Sequence, residues 1–432
     1  MANVTISSRK TRKYLFIFIL SAIMLVRFSA DLRAVEGLTQ VKTNSRTITV
    51  GGRNADIPGF TSRAIQIAVD ALKESGGTVR LGQGKFEISV PVKLYDSIRF
   101  IGSGETTVLH KIDGFTTNYI IDGDYGMLKV MAADASRFAV GMGVLLYDDD
   151  NNSGWDVTTA RITSIDGQML YIDTPLARDY RADRNGIISN ACSLVEGVGI
   201  GNAYIADFVV DGNSSTNEFI DGCRGGGIYI HKSRDVTIEN VTVRNFNGDG
   251  FSWQITENVT VKNCEAAYGT NLGFHPGTGS DNSVVENCVS HHNGADGIFL
   301  CWRVQNGVFR NNKTYANERY GISIGHKDTD NIFENNQVFE NFKHGVCFRD
   351  ENEENSGHRN VFHGNTIENN GSPGFDAYGI YIGGVTRDIT IDSNTIVSTG
   401  KGNQVGAIFI GDKSSGIVEK NNTVSGHPAV VR

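Results

Sequence analysis

Apolar and polar residues alternate with period two along most of the chain, in short runs of Val, Ile, Phe and Thr broken by Gly, Asn and Asp. Such alternation marks half-buried strands separated by turns. From about residue 225 to 426 the runs become a repeat. A glycine ahead of a small apolar strand recurs as Gly227-Ile-Tyr-Ile, Gly250-Phe-Ser-Trp, Gly273-Phe-His-Pro, Gly297-Ile-Phe-Leu, Gly321-Ile-Ser-Ile, Gly345-Val-Cys-Phe, Gly379-Ile-Tyr-Ile and Gly406-Ala-Ile-Phe. The steps between these glycines are 23, 23, 24, 24, 24, 34 and 27 residues. Thirteen to fifteen residues after most of them stands an asparagine: Asn240, Asn263, Asn287, Asn311, Asn335, Asn394 and Asn421. A fixed period of this size means a solenoid or an array. Strand composition makes each unit one coil of an all-β, right-handed, single-stranded parallel β-helix. The asparagines fit a ladder in which each buried amide bonds its copies above and below. A sandwich of unrelated strands would show no such register.

Alternation also assigns the faces. Positions one and three after each glycine point inward: Ile228/Ile230, Phe251/Trp253, Ile298/Leu300, Ile322/Ile324, Val346/Phe348 and Ile380/Ile382. Positions two and four, with the turn that follows, are expected to face solvent. They read Tyr229, His231; Ser252, Gln254; His275; Phe299, Cys301, Trp302, Arg303; Ser323, His326, Lys327, Asp328; and Arg349, Asp350, Glu351. The residue just before the glycine adds Asp249, Asp296, Tyr320 and His344.

Ahead of the coils, Thr61 to Ser75 carries the one helical pattern, with Ile65, Ala68, Val69 and Leu72 on one face, Thr61 or Ser62 as N-cap and Gly76-Gly77 as the stop. A helix here would cover the open end of the stack. The stretch AIQIAVDALKESGGTVRLGQGKFEI, followed by IRFIGSGETTVL, resembles the opening of pectate-lyase-superfamily proteins. The Gly-strand-Asn coils resemble the repeats of the same β-helix group, which includes polygalacturonases, pectate lyases and uronan epimerases. The resemblance runs from about residue 50 onward and implies a carbohydrate-active enzyme.

Residues 134–180 break the coil pattern with alternating strands around the polar loop Asp148 to Gly154, which predicts a small β insertion able to form one wall of a cleft. Asp148, Asp149, Asp150 and Asp156 could offer oxygens to Ca²⁺, although a charged, solvated loop explains them as well. The domain plan is thus a leader over 1–34, a cap and first coils over 35–133, the insertion, and coils over 181–432. The leader is read from Arg9, Lys10, Arg12 and Lys13, an apolar run from Tyr14 to Val26, and Ser29, Ala30 and Ala34, the layout of a signal peptide. It predicts export to the periplasm, the cell surface or the medium, with no membrane association beyond it.

The net charge of −8 argues against a general nucleic-acid or anionic-membrane surface but permits a local basic cleft. Six cysteines do not make a disulfide scaffold at this length. Cys264 and Cys288 fall at equivalent places in adjacent coils, near enough for a disulfide but equally suited to packing as free core thiols. His291 and His292 lie in the same region; adjacent residues seldom face one ion, so turn chemistry or solvent exposure is expected there.

Candidate chemistry clusters on the four central coils, where the outward strip carries His, Trp, Arg, Lys and Asp while the outer coils are bland. Such a strip suits an acidic polysaccharide, with cations for carboxylates and Trp302 for a sugar face. The expected catalytic residues are His275, Asp296, Arg303, His326, Lys327, Asp328, Arg349, Asp350 and Glu351; those expected to bind substrate are Tyr229, His231, Asp249, Gln254, Trp302 and His344. β-Elimination would use Arg303 or Arg349 to neutralise the carboxylate and His275, His326 or Lys327 as base. Hydrolysis would pair Asp328 with Asp350 or Glu351, or Asp249 with Asp296. Against the polygalacturonase motifs, Asn247-Gly248-Asp249, Gly294-Ala295-Asp296 and Lys343-His344-Gly345 match in part and the Arg-Ile-Lys motif is missing. The epimerase cluster is echoed by Tyr268-Gly269 and Phe274-His275-Pro276 without its Asp. Elimination on a uronate glycan is the leading expectation. Hydrolysis and non-catalytic glycan binding or adhesion are the alternatives.

Overall fold

The computed structural model describes residues 46–431, so the expected leader lies outside the described residues. Helix α1, Ser62–Asp70, is capped by Thr61, whose hydroxyl accepts the Ala64 amide at 3.2 Å. Its inner face buries Ile65, Ala68, Val69 and, just beyond, Leu72 against the first strands, as the pattern requires. Beyond it the chain winds as stacked coils.

One side of every coil contributes a strand to a single eleven-stranded parallel sheet. These strands are β1 Val92–Leu94, β2 Val195–Val198, β3 Ile228–His231, β4 Phe251–Gln254, β5 Phe274–Gly277, β6 Ile298–Phe299, β7 Ile322–Ile324, β8 Val346–Phe348, β9 Ala377–Ile382, β10 Gln404–Ile410 and β11 Val430–Val431. The other sides join a second sheet of 22 strands. The register stacks like on like: Tyr229 beside Ser252 beside His275, and Phe299 beside Ser323, Cys347, Tyr381 and Phe409. All twelve side chains expected to point inward from β3, β4 and β6–β9 are buried. On the other sheet Phe309, Phe333 and Phe362 stack ring over ring at 4.8 and 4.6 Å. The last repeat is displaced by one residue: Gly406 pairs with Tyr378, and Ala407 takes the place the sequence gives to the glycine, because a bulge at Ala377/Tyr378 shifts the register.

The asparagine ladder exists, mostly one residue along from its expected positions. Asn240, Asn263, Asn287, Asn311, Asn335 and Asn421 occupy the left-handed backbone region near φ 55°, which follows the strand end in every case but Asn240, inside the strand Arg234–Arg244, and which Asn tolerates at little cost. The next residue turns inward and makes the ladder through Asn312, Asn336, Asn365, Asn394 and Asn422, of which only Asn394 was expected. Cys264 and Cys288 fill the same column lower down as free, buried thiols. A second ladder runs through Asn293, Asn317, Asn341 and Asn370 to Gln404.

Between β1 and β2 the chain leaves the stack to build a six-stranded antiparallel sheet from Thr116–Asn118, Lys129–Met131, Gly143–Tyr147, Thr158–Asp166, Met169–Ile172 and Ile187–Ser189. It has its own core, including Tyr119, Leu146, Ile162, Leu170, Tyr180 and Ile188. The insertion therefore starts before and ends after residues 134–180, since its first and last strands pair with each other.

Candidate active site

The sheet face assigned to solvent is partly roofed. After the strand Tyr204–Asp211 the chain crosses back over β3–β5, and Gly222 O accepts Ser252 Oγ at 2.6 Å and Gln254 Nε2 at 3.3 Å, while Cys223 O accepts the Tyr229 hydroxyl at 2.8 Å. Asp249, Gln254 and His275 are consequently buried rather than exposed, which corrects their placement in an open groove. Beneath the crossing, His275 Nδ1 lies 2.6 Å from Asp249 Oδ2, and Asp249 Oδ1 accepts from Asn271 Nδ2 and the Leu272 amide. Burial alone would lower the His275 pKa. The Asp249 carboxylate and the neighbouring Cys301 outweigh it and hold the ring at about 10.

A histidine raised in the fold stabilises it fully below its unfolded value near 6.5, and that stability is lost as pH rises through about 10. The urea midpoint should therefore fall between pH 6.5 and 10, and His275→Gln should flatten that slope. The crossing has no spare room: a Cβ on Gly222 would lie 1.7 Å from Asp249 Oδ2 and 2.4 Å from His275 Nδ1. Gly222→Ala should cost about 1–3 kcal/mol, as overpacking does, measured by chemical denaturation.

The central strip is largely self-neutralised. Arg349 is folded back over Phe299, 4.5 Å from its ring centre, and donates to Ser323 Oγ, Leu300 O and Asp328 Oδ2. Asp328 is fully buried and also accepts the Val304 and Gly325 amides. It is a turn anchor for Arg349, not one of two carboxylates flanking a glycosidic bond. Asp350 instead accepts the Gly384 amide at 2.9 Å and the Tyr381 hydroxyl at 3.4 Å. Asp296, at 0% exposure, accepts the Tyr320 amide and sits 3.5 Å from Arg319, so no open Asp249/Asp296 pair forms.

Trp302, His326 and Glu351 do come together: the two rings stack at 4.7 Å, and His326 Nε2 is 2.7 Å from Glu351. Burial, then Arg349, lowers His326 to about 4, so it is neutral there. Arg303 and Lys327 stand in left-handed turn positions beside it. His344 is buried between Tyr320 and Tyr381, with Nδ1 accepting the Tyr378 amide, so it is not open to a substrate. The four residues His275, Arg303, His326 and Arg349 thus do not share one wet wall: His275 lies beneath the crossing and Arg349 is spent on Asp328.

An open cavity of about 330 Å³ lies one step further along, where the insertion meets β1–β3. Lys93, Glu196, Tyr229 and His231 come from the sheet, Arg161 and Asp173 from the insertion, and Arg224 and Lys232 from the flanking turns. Four cations therefore face two carboxylates in a chain of net charge −8. Among the described residues only Arg161 of these four is ion-paired, with Glu196 at 3.0 Å. Arg224 lies over the Trp155 ring and donates to Trp155 O, and its Nε has no partner. His231 lies 5.8 Å from the Trp155 ring, and among the described residues neither of its ring nitrogens has a hydrogen-bond partner. Burial, then Lys232 and Arg224, lowers it to about 4, so the imidazole is neutral at physiological pH.

A family model described as rhamnogalacturonase A/epimerase, pectate lyase-like matches residues 46–275, more than half of the 432. The chain belongs to that family. A model of the right-handed β-helix region matches residues 208–362. No curated protein matches the chain in sequence. Among solved structures, the A-module of mannuronan C-5 epimerase AlgE4 from Azotobacter vinelandii is similar at TM-score 0.55 and 20% identity, covering 86% of this chain and 95% of that one. An exopolygalacturonase from Thermotoga maritima is similar at 0.56 and 13%, covering 90% of each. PfbA, a surface adhesin of Streptococcus pneumoniae, is similar at 0.50 and 14%, covering 86% and 89%. At these identities the likeness is one of fold.

In this member of the family the cavity is built from residues that repeat reasoning does not reach. Lys93 precedes the recognisable coils, Arg161 and Trp155 lie in the insertion, and Arg224 sits in an irregular crossing. Only Tyr229 and His231 were in the expected substrate-binding set. The usable signal was the predicted insertion wall, joined to the nearest coil. The aspartate loop of the insertion is engaged internally: Asp148 accepts the Asp150, Asn151 and Arg181 amides, Asp150 pairs with Arg184 and Asp156 with Arg178. Its oxygens are held by protein donors, and among the described residues no group of three or more His, Cys, Asp and Glu is arranged for a metal ion. No helix among them is long and apolar enough to cross a membrane.

Proposed function

We propose that this chain is an exported enzyme that cleaves an acidic, uronate-containing glycan by β-elimination in the cavity between the insertion and β1–β3. The carrying observation is His231, without a hydrogen-bond partner among the described residues, beside an excess of cations; burial, then Lys232 and Arg224, keep its imidazole neutral. Elimination needs both: Arg224, Lys93 or Lys232 neutralises the uronate carboxylate and acidifies the adjacent carbon, and the neutral imidazole takes the proton. The electron pair forms the new double bond as the glycosidic oxygen leaves. That oxygen needs a proton, and the Tyr229 hydroxyl on the floor, kept protonated by burial, supplies it by exchanging its bond to Cys223 O for one to the leaving oxygen. The names of two similar folds, a mannuronan epimerase and an exopolygalacturonase, are in keeping with a uronate substrate. Hydrolysis by paired carboxylates is less well supported, because Asp249 and Asp328 are each already bonded to a cationic partner.

The test is a panel of uronans and neutral glycans. Absorbance of an unsaturated uronate product supports elimination, reducing ends without it mean hydrolysis, and binding without turnover means an adhesin.

A further inference from the structure

His291 and His292 lie on the 22-stranded sheet, on a different side of the coil from the cavity. Adjacent residues in a strand point to opposite faces, which is why this pair is not expected to meet. The strand Val289–His291 ends there, however, and His292 takes the left-handed conformation at φ 53°. That turn swings the second ring back, so His291 Nδ1 and His292 Nδ1 face each other at 2.8 Å. The ring planes stand at 87°. His291 Nε2 is 2.8 Å from Glu265 Oε1 on the preceding coil. A carboxylate at that nitrogen keeps the proton on Nε2 and leaves the Nδ1 lone pair directed at His292. The His291 ring is held in place by Tyr315, stacked at 4.8 Å and 10°, and His292 is covered on one side by Tyr268 at 5.1 Å.

We infer that His291 and His292 bind one divalent transition-metal ion through their two Nδ1 atoms, with Glu265 as the outer carboxylate that orients His291. A carboxylate on the far nitrogen of a ligating histidine is the usual support of such sites. With metal–nitrogen bonds of about 2.0–2.1 Å, two nitrogens 2.8 Å apart subtend close to a right angle at the ion. A right angle suits the tetragonal geometry of Cu²⁺ or Ni²⁺ rather than a tetrahedral zinc site, and imidazole suits those ions rather than Ca²⁺. Two nitrogens are a small protein set, so water completes the coordination. In the metal-free protein His292 Nδ1–H donates to His291 Nδ1; when an ion enters, His292 gives up that proton and takes one from water on Nε2, so both imidazoles ligate in the neutral form.

The experiment is a Cu²⁺ titration of the full chain by calorimetry and electron paramagnetic resonance. The expected result is one saturable equivalent whose spectrum is split by two nitrogens. His292→Asn, which keeps the left-handed turn, should abolish that equivalent, and Glu265→Gln should weaken it about 10–100-fold. No saturable binding, or an equivalent unchanged in His292→Asn, overturns the site. Uronan turnover is untouched by either outcome, since the cavity is built from other residues.

Discussion

Replacing His231 by glutamine should lower turnover of an acidic glycan by about 10²–10⁴-fold, the usual contribution of a positioned general base, with a much smaller change in KM. Glutamine keeps roughly the length and a hydrogen-bonding end, so the cavity wall survives and the loss reports proton transfer. The pH profile provides the sharper readout. Because His231 is held at about 4 by burial and by Lys232 and Arg224, the wild-type rate should keep its base down to nearly that pH. It should then fall on a limb near 4, and the variant should lack that limb. Arg224→Ala should weaken binding of the acidic glycan and leave a neutral glycan unaffected, since only the carboxylate meets the guanidinium. His326→Gln is the informative control, because His326 is also neutral but lies stacked against Trp302 with Nε2 already engaged by Glu351 at 2.7 Å. Full activity in His231→Gln with loss in His326→Gln would return the chemistry to the central strip.

Asn336→Ala should destabilise the fold by about 2–6 kcal/mol. Asn336 donates to Phe309 O at 2.8 Å and Asn365 Oδ1 at 2.9 Å, and accepts both the Asn312 amide and its side chain at 3.0 Å. Truncation orphans the Phe309 carbonyl and the Asn312 amide inside the stack, and each unsatisfied buried group costs about 1–3 kcal/mol. Asn335→Ala, one residue earlier, removes only an exposed turn side chain in a left-handed position, so it should cost less. Urea denaturation of the two variants side by side measures the difference. Equal midpoints would mean the ladder contributes no more than the turn.

That pair of neighbours also shows what could be read from the chain. The period gave the coils, the inward residues and the existence of an amide ladder, because stacking makes each coil a copy of the last and copying leaves a visible repeat. It did not separate Asn335 from Asn336, because the left-handed turn breaks the alternation where the two meet. The same kind of turn hid the meeting of His291 with His292. The site was legible only in part for a related reason. Alternation says that Asp249 and His275 leave the core; it does not say that a crossing from residues 212–226 will close over them. Asp328 and Arg349 are both charged and adjacent in the stack, a pattern that fits an ion pair as well as a catalytic set. Lys93, Arg161 and Arg224 belong to no repeat, so periodicity is silent about them.

The floor and the wall of the cavity belong to different hydrophobic cores, the stack and the insertion sheet. The chain leaves the stack after Lys111 and is back in it by Val195, yet β1 and β2 still pair in register. Since loop-closure entropy grows only slowly with length, the scaffold is nearly indifferent to what is spliced into that gap. On the proposed function, substrate preference is therefore a graftable trait: exchanging one excursion would set a different wall against the polymer while the histidine beneath it stays where it is.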